Sequence, residues 1–144
     1  MTNPGPAPAG EPVVIRVKEE HHIACARQTA AAVAAEMGFK RVLVAYIATS
    51  VSELASNLFF HTDGGGTISL LPLRQGNKIG LEVIAADDGP GIPNIDLAMQ
   101  DGHSTGGGLG SGLPGVRRLM DEFRITSTAG AGTRVIVRKW QLCR

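Results

Sequence analysis

Residues 40–88, KRVLVAYIATSVSELASNLFFHTDGGGTISLLPLRQGNKIGLEVIAADD, contain the change of period that decides the fold. Val44, Ile47, Ala48, Val51, Leu54, Ala55 and Leu58 recur at helical spacing and make one apolar stripe, which predicts a helix from about Lys40 to Phe60. Tyr46, Ser50, Glu53 and Asn57 make a second stripe on a different side of that helix. The Gly64-Gly65-Gly66 turn then breaks the chain. Thr67–Leu73 and Ile79–Ala86 read as two strands around the polar turn Arg74–Lys78, a hairpin. Pro72 puts the first strand at a sheet edge or ends it there.

Upstream, Ile23, Ala26, Ala30, Val33 and Met37 predict an amphipathic helix closed by Gly38, and Val13–Val17 a short β-branched strand before it. Residues 1–12 carry four prolines and almost no bulky side chain, and read as a disordered tail before one domain over 13–144. Downstream, Asp88–Gly112 is a long Gly-rich loop without periodicity. A helix begins near Gly112 with Leu113, Val116, Leu119 and Met120 inward. Phe123–Thr128 and Thr133–Trp140 form a closing hairpin. The order of strand, two helices, two strands, loop, helix and two strands predicts an α+β fold. It is a two-layer α/β sandwich with a mixed, mostly antiparallel sheet.

Composition narrows the class. The 144 residues fit one domain, and 43% apolar with 19% charged residues is a globular balance. A net charge of +1 with no Lys/Arg run excludes a strong electrostatic case for nucleic acid or acidic membrane. The two cysteines, Cys25 and Cys143, have no metal spacing and read as free thiols; Cys25 is expected to be packed on the first helix. No apolar run approaches a membrane span, and the N-terminus is too polar for a signal peptide, so a cytoplasmic domain is expected. The four histidines show no ligand spacing, and Trp140 is assigned to the core. Gly is out of line: nine of the 19 glycines lie between Gly89 and Gly115.

Four elements can carry chemistry. Glu53 and Asn57, four apart on a helix, share a side; a carboxylate can take a proton and an amide oxygen can ligate Mg²⁺, although such a pair also suits a solvated face. Asp87, with Gly89 and Gly91 after it, follows an apolar strand. A carboxylate there can accept from an exocyclic amine such as adenine N6, and the same residues also make an ordinary turn. Gly106, Gly107, Gly108, Leu109, Gly110 and Gly112 run into a helix, so their N–H groups can cradle an anion; a flexible linker is the alternative. Gly130, Gly132 and Thr133 open the last strand and taken alone are a hairpin turn. Arg117 and Arg118, on the helix after the glycines, are solvent-exposed or face an acidic partner.

In this order and spacing, E-x-x-x-N, D-x-G-x-G, G-x-G-x-G and G-x-G-T resemble the four ATP-binding boxes of the GHKL superfamily over about Val13–Trp140. Within it, IATSVSELASN (Ile47–Asn57) and GLPGVRRLMDEF (Gly112–Phe123) resemble the RsbT-type switch kinases of the bacterial stressosome. The resemblance implies the Bergerat fold, ATP and Mg²⁺ as cofactors, and a serine/threonine kinase acting on STAS-domain proteins. It also implies later binding to a downstream phosphatase or other output protein. By motif position Glu53 is implied as the base or the group orienting the acceptor hydroxyl, Asn57 as the Mg²⁺ ligand, and Asp87 as the adenine acceptor with Gly91 giving the base room. Gly108, Gly110 and Gly112 are implied to wrap the phosphates, Thr133 to support the adenine pocket, and 93–105 to form the lid. The alternatives are an anti-sigma factor that binds sigma directly and a non-catalytic ATP-binding module. A dinucleotide-binding oxidoreductase is disfavoured by the late glycine loop and the missing βαβ context.

Overall fold

A computed structural model describes residues 5–87, 112–128 and 132–143. Its elements are β1 (Ala7–Pro8), β2 (Val13–Val17), α1 (His21–Met37), α2 (Arg41–His61), β3 (Gly66–Gln75), β4 (Lys78–Ala86), α3 (Gly112–Leu119), β5 (Glu122–Thr128) and β6 (Gly132–Leu142). The strands form one sheet in the order β1-β3-β4-β6-β5, with β2 also on β3. Every pairing among the described residues is antiparallel. The helices cover one face, giving the expected two-layer α+β sandwich.

Alternation along the strands decides which residues enter the core. Ile68 and Leu70 of β3, Leu81, Val83 and Ala85 of β4, and Val135 and Val137 of β6 stand in register and are buried under the helices. From above, α2 presents Ile47, Val51, Leu54 and Leu58, and α1 presents Ala26, Ala30 and Ala34. The alanines of α1 hold the place that longer side chains would fill, so α1 and α2 pack closely. α1 ends at Gly38, whose φ of 98° is the left-handed conformation that glycine adopts without a Cβ clash.

Five sequence expectations differ from the structure in this part of the fold. The presumed tail is in part a strand: Ala7 and Pro8 pair with Arg74 and Leu73, and the Ala9 N–H donates to Pro72 O at 2.8 Å. An edge with unmet donors and acceptors beyond the reach of β2 offers that segment backbone partners, whatever its weak strand propensity. For the same reason Pro72 is not on an edge strand. It sits where the outer neighbour of β3 changes from β2 to β1, the one place on β3 where a missing N–H disturbs neither short ladder. Trp140 is half-buried on the face away from the helices, over Gly80, because alternation in β6 sends it opposite to Val137 and Lys139. Cys25 is exposed. By length and composition alone, α2 would also suffice to cross a membrane, contrary to the reading that no segment approaches a span; here its apolar face rests on the sheet.

Candidate functional site

The site is built where α2 meets α3 and where β4 and β6 end. Glu53 lies in the middle of α2 on the side away from the sheet-facing stripe, and is 7% exposed. Its Oε2 accepts a hydrogen bond from the Gly112 N–H at 3.3 Å. Gly112 is the first residue of α3 and has a φ of 71°, a left-handed conformation that glycine adopts without a Cβ clash. A carboxylate thus faces the positive end of a short helix, where the first N–H groups have no partner within the helix. Asn57 follows Glu53 by one turn and is half-buried.

At the strand ends, Asp87 leaves β4 with its N–H donating to Thr133 O at 3.1 Å. The Thr133 side chain pairs with the Ser127 hydroxyl at 2.9 Å across β6 and β5. Alternation puts Asp87 and Thr133 on the same side as Ala85 and Val135, which is the helix side. The two halves meet through Gly66. A Cβ there would stand 2.2 Å from Ala86 O and 2.7 Å from the Leu58 side chain, so the Leu58 turn of α2 lies against the strand residue that precedes Asp87. Glycine at 66 is therefore a requirement of close backbone approach.

The structure thus joins Glu53 to Gly112, and Asp87 to Thr133, with Asn57 beside the contact that links them. The remaining expected residues, Gly89, Gly91, Gly106, Gly107, Gly108, Leu109 and Gly110, lie outside the described residues, as does the proposed lid over 93–105. Among the described residues no cluster of His, Cys, Asp and Glu could hold a metal by itself. Arg117 and Arg118 face solvent on the far side of α3. One feature escaped the reading of motifs. Ser50, one turn before Glu53, is fully buried, and its hydroxyl finds no partner among the described residues. The signal was its place in the Tyr46, Ser50, Glu53, Asn57 stripe, a polar residue at the border of an apolar one.

The family model for the histidine kinase-like ATPase domain matches residues 15–139. The chain belongs to this family, in its RsbT-type serine/threonine kinase branch. It is 49% identical over 126 residues to the serine/threonine-protein kinase RsbT of Bacillus subtilis, across 88% of this chain and 94% of that protein. It is 37% identical over 120 residues to an anti-sigma F factor of a Thermoanaerobacter species, across 80% of this chain and 82% of that one. A crystal structure of the RsbU and RsbW domains of a Mycobacterium tuberculosis protein superposes with a TM-score of 0.60 at 22% identity. That match covers 94% of this kinase but 34% of the longer chain, and supports the fold alone.

Proposed function

We propose that this kinase uses ATP and Mg²⁺ to phosphorylate a STAS-domain protein of a stressosome-like complex, and then engages a downstream phosphatase or other output protein in cytoplasmic stress signalling. The observation that carries the proposal is the Glu53–Gly112 contact at 3.3 Å. It puts a buried carboxylate and a helix-terminal N–H, groups suited to an attacking hydroxyl and to a phosphate, at one point.

The donors present fit the groups implied. Hard Mg²⁺ keeps most of its waters and takes few protein oxygens, so the Asn57 amide oxygen suffices for a site completed by phosphates. When bound, Mg²⁺ offsets the charge that builds on the triphosphate. Asp87, whose carboxylate accepts hydrogen bonds and cannot donate them, suits the adenine amine, and the Thr133 carbonyl fixes its backbone. Gly112, once its N–H leaves Glu53, would present that N–H to the phosphates. In the transfer itself, the substrate hydroxyl oxygen bonds to the γ-phosphorus as the bond from that phosphorus to the β-γ bridging oxygen breaks. ADP leaves, and the hydroxyl proton passes to Glu53. Burial of Glu53 keeps bulk water from competing for the same phosphorus.

The test is incubation with labelled ATP, Mg²⁺ and a STAS-domain protein, followed by mass spectrometry of that protein. Glu53→Gln is expected to bind ATP within about threefold of wild type and to transfer phosphate about a hundredfold more slowly or worse. A fully active variant removes Glu53 from the chemistry. The relatives named anti-sigma F factor favour a second reading, direct sequestration of a sigma subunit. A pull-down with sigma and phosphatase partners in parallel separates the two.

A further inference from the structure

Lys139 stands out as a buried cation in a strand whose neighbours on the same face are Val135 and Val137. It is 8% exposed, and its ammonium is fully engaged. It donates to Leu119 O, at the C-terminal end of α3, at 2.9 Å. It pairs with Asp121 Oδ1 at 3.2 Å, and lies 5.3 Å from the centroid of the Tyr46 ring on α2. Asp121 is itself fixed: its Oδ2 accepts the Trp140 N–H at 2.7 Å, and its own N–H donates to Arg138 O at 2.9 Å.

α3 runs antiparallel to α2, with Gly112 beside Glu53 and Leu119 tied through Lys139 to Tyr46. It is eight residues long and contains Gly112, Pro114 and Gly115. A helix this short, holding two glycines, has little stability of its own, so its contacts decide where it lies. Leu113 and Val116 press it onto the core, but apolar contact resists sliding along the axis poorly. The directional ties are at the two ends, a carboxylate at the positive end and an ammonium at the negative one. The first tie is Glu53, which the reaction needs free to meet a hydroxyl. The second must then hold the helix while the first is broken.

We propose that Lys139 is a positioning residue for nucleotide binding. It grips α3 by its last carbonyl, about 10 Å along the axis from Gly112, and so sets where the Gly112 N–H stands for an incoming phosphate. This rests on the reading of Glu53 and Gly112 as the triphosphate end of the site, and the experiment separates the two.

Lys139→Met keeps the length and apolar stem of the side chain and removes the charge. It is expected to raise the dissociation constant and the KM for ATP about tenfold. The rate at saturating ATP should change less than about threefold, since no reacting atom is touched. Amide exchange across residues 112–119 should quicken. Lys139→Arg, which still offers donors to Leu119 O, is expected to recover most of the affinity. Asp121→Asn, which loosens the lysine but leaves it in place, should move KM in the same direction by a smaller factor; it also serves if Lys139→Met does not fold. A folded Lys139→Met, or failing that Asp121→Asn, with wild-type ATP affinity overturns the proposal while leaving the site reading intact. Wild-type protein that binds no ATP withdraws both.

Discussion

The two faces of the sheet solve the same burial problem by different means. Under the helices, β3, β4 and β6 present an unbroken layer of Ile68, Leu70, Leu81, Val83, Val135 and Val137, with Lys139 entering only where α3 ends. The opposite face carries a cross-strand ladder. Arg138 of β6 bridges Glu82 of β4 at 2.8 Å and Glu122 of β5 at 3.4 Å, and the Trp140 indole N–H donates to Glu122. Trp140 lies flat over Gly80, so the missing side chain at 80 becomes the bed for the ring. One face is stabilised by removing apolar area from water, the other by fitted polar pairs beside Trp140 and the buried Leu73. Errors on the first should cost more, because an emptied core site has no solvent to fill it.

Three consecutive residues of β4 break this contrast open, since they alternate between the faces. Leu81→Ala, in the fully buried layer, is expected to destabilise by about 2–5 kcal/mol in urea unfolding. Gly80→Ala adds a methyl group 2.5 Å from the Trp140 ring, which must lift. The expected loss is about 1–3 kcal/mol, with a change in tryptophan fluorescence of the folded state. Glu82→Gln removes one charge from the ladder while Arg138, 30% exposed, stays reachable by water. A loss of about 1 kcal/mol or less is expected, shrinking further in molar salt. If Glu82→Gln proved worse than Leu81→Ala, the ladder rather than the core would be holding the sheet.

The same alternation explains what could be read in the sequence. The stripe from Val44 to Leu58 and the β3–β4 hairpin were legible because each is set by residues a few positions apart. So was the helix opening at Gly112, with Leu113 and Val116 inward. The hairpin turn proved tighter than the Arg74–Lys78 expected, closing at Gly76-Asn77 between paired Gln75 and Lys78. β1 was not legible, because Ala7 and Pro8 have no strand preference of their own and pair only because the edge of β3 stands open there. Size alone assigns Trp140 to the core, whereas counting by twos from Val137 sends it to the other face. For the candidate site, motif order singles out Glu53, Asn57, Asp87 and Thr133, and the structure shows the Asp87–Thr133 backbone bond between two of them. The bond between Glu53 and Gly112 could not, since it joins residues 59 apart through the packing of two helices. Lys139 escaped for a related reason. A lysine in an otherwise alternating strand reads as surface until the end of α3 is known to lie above it.

The strand at Ala7–Pro8 also bears on how molecules of this chain meet one another. The outermost strand of a sheet is a template on which a second chain can add by backbone pairing alone. Here Pro6, Pro8 and Pro12 have no hydrogen to offer, and the Ala9 N–H is spent inward on Pro72. A neighbour approaching from that side finds too few donors to zip against, so this margin is a poor seed for fibre growth.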